Sequence, residues 1–294
     1  MNNYIELNNK VENINLEDFL DSKDISGRMF RKLLKAKNIR INGLVAKNRK
    51  ALLKVGDIIK LSIPDEELDI EPEELNIEIL YENKDIIAIN KEPFMVVHPT
   101  SNITNKTLSN GLAYYFLKTN IKSKVRLINR LDRDTSGVIL FAKNSFGHQQ
   151  VAKQLENKTA IKKYYALVEG TPNNKEGIIN KPIGKCEEGM GQCIRKDGLE
   201  SITKYKVIEE YKNASLLELE IVTGRTHQIR VHLKDLGHPI IGDTLYNNQC
   251  KSIGRQALHA SSITIKNTRT DEILTVVAPL PSDMVELMDI LKVT

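Results

Sequence analysis

The segment Arg130-Leu131-Asp132-Arg133-Asp134-Thr135-Ser136-Gly137 sets an aspartate between two arginines, in a polar turn that opens onto the apolar run Val138-Ile139-Leu140-Phe141-Ala142. A carboxylate held at the end of a strand, with cations beside it, suits a nucleophile or base better than a core position. The plainer reading is that Asp132 or Asp134 only forms an Asx turn before the strand. Two more segments concentrate Arg, Tyr and His. One is Lys162-Lys163-Tyr164-Tyr165-Ala166-Leu167-Val168-Glu169-Gly170. The other runs from Thr223-Gly224-Arg225-Thr226-His227-Gln228-Ile229-Arg230 to Asp243. In the latter, Ile229 and Leu233 share a helix face with Arg230 adjacent, so this arginine is expected to enter the protein. An inward arginine needs an anion, and pairing it with Asp132 satisfies both groups. Singly, cross-strand tyrosines and surface arginines are ordinary; together they require three coincidences in one domain.

Other chemistries lack their residues. There is no Gly-x-x-x-x-Gly-Lys phosphate loop, no Gly-x-Gly-x-x-Gly after a strand and no Gly-x-Ser-x-Gly elbow, so no nucleotide cofactor is expected. His227 and His232 stand five residues apart, on different helix faces, with no Glu between them, so a metal hydrolase built on His227, His232 and Asp243 is a weak rival. Cys186, Cys193 and Cys250 are an odd set without C-x-x-C spacing. They imply free thiols in a reducing, cytoplasmic compartment and no zinc finger. No apolar run approaches a membrane span, and the first residues do not read as a secretory signal. No metal, no other cofactor and no membrane partner are expected.

The elements that must position these residues follow from the pattern of the 294-residue chain. Residues 22–60 carry twelve Lys/Arg against two acids, whereas 65–78 carry eight acids and no base, within an overall net charge of +5. The basic block is the electrostatic footprint of a nucleic-acid binder. The acidic, Pro-containing strip is expected to be a linker between a small unit, 1–64, and a large one, 79–294. In the small unit, a helix starts at Leu16, and Ser26 caps a second over 27–37 with Arg28, Arg31, Lys32 and Lys35 off its apolar face. Arg40 follows, in a strand that turns at Asn42-Gly43. In the large unit, strands are expected at 85–90, 138–142, 164–168, 202–207, 216–222 and 263–266. Helices are expected at 105–118, from Asn144 or Ser145 to about 157, and at 227–236 with Thr226 as cap and Gly237 beyond the end. Irregular connections favour an α+β fold, with a mixed, mainly antiparallel central sheet flanked by helices and loops, over a doubly wound one.

The small unit, with its Ile39-Arg-Ile-Asn-Gly and Val55-Gly-Asp-Ile-Ile, resembles the ribosomal protein S-four type RNA-binding domain. The large unit resembles the RluA/RluD-type pseudouridine synthases. The matching motifs are Asn90-Lys91 through Val97-His98-Pro99, Arg130-Leu-Asp-x-x-Thr-Ser-Gly, Lys162-x-Tyr-x-Ala-x-Val-x-Gly, Gly224-Arg-Thr-His-Gln-Ile-Arg-Val-His and Pro239-Ile-x-Gly-Asp. The resemblance implies isomerisation of uridines in structured RNA without a cofactor. It makes Asp132 the nucleophile, Tyr164 the residue against the base and Arg230 the partner of Asp132. It gives RNA contacts to Arg130, Arg225 and the N-terminal cations Arg28, Arg31, Lys32, Lys35 and Arg40. Whether Asp132 attacks sugar or base stays open. The implied substrate is large-subunit ribosomal RNA; a tRNA, or a non-catalytic role in ribosome assembly, are the alternatives. A monomer is expected. The chain departs from the family at Asn129, where a His usually precedes the Arg-Leu-Asp, and at Glu92-Pro93-Phe94, where Asn-Lys is usually followed by Pro-x-Gly.

Overall fold

The computed structural model describes residues 4–187, 191–270 and 272–293. A ten-stranded sheet dominates it, in the order Glu176–Asn180, Ile202–Glu210, Ala214–Ile221, Ile161–Glu169, Leu258–Lys266, Ser136–Ala142, Ile86–Lys91, Glu78–Glu82; Ile273–Val277 pairs with Leu258–Lys266 and Arg126–Leu127 with Ser136–Ala142. All the neighbouring pairs are antiparallel except Ser136–Ala142 against Leu258–Lys266, so the fold is α+β with a mixed, mainly antiparallel sheet. The strand Ser136–Ala142 is buried along its whole length because both faces are covered. Its side chains alternate: Ile139 and Phe141 pack with the helix Leu108–Lys118, while Val138 and Leu140 pack on the side of the helix Ser145–Glu156. That central strand begins one residue after the turn carrying Asp132.

Toward the N-terminus, Tyr4–Asn8, Ile58–Ser62, Ile39–Ile41 and Leu44–Val45 make a four-stranded sheet. The helices Leu16–Ser22 and Gly27–Lys35 share a core with it built on Phe19, Phe30, Leu33 and Ile59. Ser26 caps the second helix by accepting from the Met29 N–H, and the helix stops two residues earlier than expected. Phe146 from the large unit enters this core, and Arg269 bridges Asp85 and the Tyr4 carbonyl. The acidic strip 65–78 lies along the large unit as an extended strap. Leu68, Ile70 and Ile77 pack against the face that holds Phe141. Glu73 N–H donates to the Asn110 carbonyl at 3.1 Å, and the acids Glu66 and Asp69 meet Arg126 and Lys124. Composition showed the charge of this stretch but hid the alternation of apolar residues that docks it.

Two helices begin differently from expectation. Thr107, not the region of Asn105, caps Leu108–Lys118 through a capping box with Asn110. Thr226 does not cap the helix Gln228–Asp235. Its N-cap position is His227, in the left-handed region at φ 55° and with no side-chain cap bond. The Gln228 side chain instead reaches back to accept from the Arg225 N–H at 3.0 Å. Gly237 does follow this helix, at φ +89°.

The parallel pairing sets Ser136 opposite His259. The two are linked at 2.9 Å (Oγ to Nδ1), and His259 Nε2 lies 3.4 Å from the Ala278 carbonyl. Burial pulls the imidazole pKa down to about 4; the Ala278 carbonyl and Asp283 oppose this weakly and Arg255 adds to it. The unfolded chain therefore takes up the proton near pH 6.5 and the folded chain does not. Stability from this group is complete above pH 6.5 and is lost as pH falls toward 4, by about 3 kcal/mol at most. Denaturant midpoints at pH 7 and pH 4.5 are expected to diverge less in His259→Gln than in the wild type; equal divergence would remove His259 as the cause.

Candidate active site

Asp132, Tyr164 and Arg230 come together on one cavity of about 540 Å³, also lined by Arg130, Lys162 and Arg225. Each arrives from a different element. Asp132 is carried by a turn whose carbonyl oxygens are held by buried cations. Lys91 Nζ, fully buried, donates to the carbonyls of Glu92, Met95 and Arg133 at 2.8, 3.0 and 2.7 Å. Arg255 donates to the Asp134 carbonyl at 3.1 Å while its other nitrogens grip Asp283. Burial pulls the Lys91 pKa to about 7. Three carbonyl acceptors around one nitrogen match the three donors of the ammonium form. At Asn129, the family's usual histidine is replaced by a side chain that accepts from the Leu140 N–H at 2.8 Å, tying the turn to the central strand. Asp134 faces away, paired with Arg133 at 2.7 and 2.8 Å, so Asp132 alone of the two turn acids lines the cavity.

Tyr164 stands where Ile161–Glu169 loses regular register against Leu258–Lys266, between Lys163 and Tyr165. Such an irregularity re-aims a side chain out of the ladder. The ring is 6% exposed and borders the cavity. Burial first, and then the Asp132 carboxylate, push its phenol well above the ordinary range, so it is a neutral hydroxyl at neutral pH. Lys162, two residues before, also lines the cavity; burial draws its ammonium below the ordinary value.

Arg230 sits in the first turn of Gln228–Asp235, with its side chain 9% exposed. Its Nη1 donates to Asp132 Oδ2 at 3.1 Å, the pairing expected from the sequence. A second carboxylate holds it more closely: Nε and Nη2 donate to Asp243 Oδ2 and Oδ1, both at 2.7 Å. Burial opposes the guanidinium charge, but these bonds and the charge of Asp243, then Asp132, outweigh it and raise the pKa. Asp243 is fully buried, and its Oδ1 also accepts from the N–H groups of Leu245 and Tyr246. Motif spacing marked Asp243 but not this role, because the bidentate geometry joins a helix to a loop thirteen residues on.

The rival metal constellation does not assemble. His232 is buried with Nδ1 on Thr203 Oγ1 at 2.9 Å and Nε2 on the Lys181 carbonyl at 3.0 Å, and both oxygens of Asp243 are taken by Arg230. Of the other basic residues singled out, Arg130 and Arg225 lie at the cavity and are exposed. Arg28, Arg31, Lys32, Lys35 and Arg40 are exposed on the N-terminal unit and do not line it. Lys32 is 3.6 Å from Glu66 of the acidic strap. Phe94, which replaces the family's glycine, keeps the glycine-like backbone at φ 63° and is exposed. For a bulky residue that conformation costs on the order of 1 kcal/mol or more.

A family model described as RNA pseudouridylate synthase matches residues 85–235, which include Asp132, Tyr164 and Arg230. The chain is 39% identical over 240 residues, 80% of each chain, to the uncharacterized RNA pseudouridine synthase YhcT of Bacillus subtilis. It is 34% identical over 275 residues to the ribosomal large subunit pseudouridine synthase D of Buchnera aphidicola, covering 87% of this chain and 86% of that one. The structure of human RNA pseudouridylate synthase domain containing 4 superposes with a TM-score of 0.61 at 24% identity, over 73% of this chain and 93% of that one, and so shares the fold. The mixed, mainly antiparallel sheet is thus a fold shared with that human neighbour, and the family model matches the half of the chain that carries the candidate site. The chain belongs to the RNA pseudouridylate synthase family, whose members act on RNA and convert uridine to pseudouridine.

Proposed function

We propose that this enzyme isomerises uridines in large-subunit ribosomal RNA, with Asp132 as the nucleophile. The observation that carries the reading is the Arg230 Nη1 to Asp132 Oδ2 bond of 3.1 Å at the edge of a cavity shared with Tyr164. The target uridine is flipped out of its stack into that cavity, whose volume suits a small ligand. One carboxylate oxygen attacks the sugar or the uracil ring, and the bond from nitrogen 1 to the sugar breaks. The uracil turns in place, carbon 5 joins the sugar, the bond to the Asp132 oxygen breaks to return the free carboxylate, and the proton lost from carbon 5 is matched by one gained at nitrogen 1, so the product is an isomer of the substrate. Arg230 stabilises the carboxylate. Tyr164 offers the base a ring face and a hydroxyl. Arg130 and Arg225 meet the flanking phosphates, as their exposure and their place at the cavity favour.

The N-terminal unit, read as an RNA-binding domain of the ribosomal protein S-four type, grips a structured region through Arg28, Arg31, Lys32, Lys35 and Arg40. The large-subunit target is supported by the name of the Buchnera relative and by this basic helix. The test maps pseudouridine by carbodiimide treatment and reverse-transcription stops in ribosomal and transfer RNA, with and without the gene. Loss of one or more large-subunit stops is expected. Loss confined to transfer RNA overturns the choice of substrate. The enzyme is expected to act as a monomer, which light scattering of the free protein tests.

A further inference from the structure

His227 has no part in the mechanism above, yet it lines the same cavity. Its ring is tied on one side and free on the other. Tyr246 Oη accepts the Gln192 N–H at 2.8 Å and lies 2.9 Å from His227 Nδ1. A backbone N–H only donates, so the phenol oxygen is the acceptor there. Its own hydrogen has one acceptor in reach among the described residues, His227 Nδ1. With the phenol as donor that nitrogen accepts, which places the proton of the neutral ring on Nε2. Nε2 stands 3.9 Å from Asp132 Oδ2, the oxygen that Arg230 already holds.

We propose that Tyr246 and His227 form a relay that presents an N–H donor to Asp132, making His227 a positioning residue that leaves the second carboxylate oxygen for attack. The inference rests on Asp132 being the nucleophile. At 3.9 Å the contact is longer than a hydrogen bond, and a shift of about 1 Å closes it when substrate fills the cavity. Three observations favour a built arrangement. Asp132 Oδ1 has no hydrogen bond among the described residues, whereas Oδ2 faces both donors. His227 adopts a left-handed backbone at the head of its helix and spends its side chain on Tyr246 instead of capping that helix. One turn, 240–247, supplies both Asp243 for Arg230 and Tyr246 for His227. Burial lowers the His227 pKa, with Asp132 and Asp243 opposing and Arg230 and Arg130 reinforcing. A neutral donor beside Arg230 adds no repulsion.

Tyr246→Phe isolates the hydroxyl, because the ring that stacks 5.0 Å from the Arg230 guanidinium carbon is kept. Long-range proton–nitrogen spectra of histidine-labelled protein are expected to show His227 as the Nε2–H tautomer in the wild type and as a mixture in Tyr246→Phe. Single-turnover tritium release from a large-subunit ribosomal RNA transcript labelled at uridine carbon 5 is expected to slow about tenfold in Tyr246→Phe, with RNA affinity within about twofold. His227→Gln, whose amide nitrogen extends toward the Nε2 position, is expected to react about tenfold faster than His227→Leu. An Nδ1–H tautomer in the wild type overturns the relay, as does equal turnover of the Gln and Leu variants. The tautomer is read without substrate. An active Asp132→Asn would overturn the nucleophile and leave that reading of the ring untouched, so the two failures are separable.

Discussion

Asp132→Asn is expected to turn over RNA at less than about one ten-thousandth of the wild-type rate, while binding it within a few-fold. Asn keeps the shape of the carboxylate and can still accept from Arg230, so the cavity and its cations persist. What is lost is the anion proposed to attack. Folding is expected to change little. Asp132 is 28% exposed, and Arg230 retains both bonds to Asp243 when the Asp132 charge is removed. Tritium release from carbon 5 of uridine, with filter binding on the same RNA, measures both quantities. Residual activity above about one percent would sink the assignment, since removing a covalent nucleophile leaves only binding and electrostatics.

The second large effect is on stability and activity together. Asp243→Asn leaves a buried guanidinium with one carboxylate in place of two, and Arg230→Met leaves Asp243, 0% exposed, without its cation. Breaking a buried pair from either side is expected to cost roughly 3–5 kcal/mol. Removing both charges in Arg230→Met with Asp243→Leu is expected to recover part of that loss, because no unpaired buried charge remains. Activity is not expected to return in the double variant, since Asp132 still lacks its cation. Urea midpoints and turnover, measured on the two single variants and the double, separate the effects. A double variant whose loss is the sum of the singles would show that the pair is not coupled. Arg230→Lys is expected to fail as well: one ammonium cannot span the two carboxylates that the planar guanidinium serves from Nε, Nη1 and Nη2.

Much of the candidate site was legible in the sequence. The Asp132 turn announced itself by an apolar strand beginning just after it, and Arg230 by its place beside Ile229 and Leu233. Those are local signals, one a continuous apolar run and one a spacing of three to four. The cap at Ser26, the hairpin turn at Asn42-Gly43 and the glycine after Asp235-Leu236 were legible for the same reason: each depends on a few neighbouring residues. Thr226 misled because capping chemistry within one turn gave way to a tertiary demand. His227 takes the N-cap position in a left-handed conformation and its ring bonds Tyr246, so Thr226 cannot take its expected place. The docking of the acidic strip was hidden for a different reason. Eight acids masked the spacing of Leu68, Ile70 and Ile77, and only the surface offered by the helix Leu108–Lys118 and the lysines and arginine near 124 makes that spacing meaningful.

By itself the sequence determined which residues are candidates for the chemistry, the family to which the chain belongs and its α+β character, because these are written in residue type and short-range periodicity. Tertiary structure alone decided how the charges are shared. Arg230 is anchored first by Asp243 and reaches Asp132 with its remaining nitrogen, Lys91 and Arg255 hold the turn from behind, and the Tyr246 hydroxyl meets the His227 ring. Each of these bonds joins segments whose separation along the chain carries no signal. Their strength comes from burial, which withholds water and obliges every polar group to find a partner in the fold.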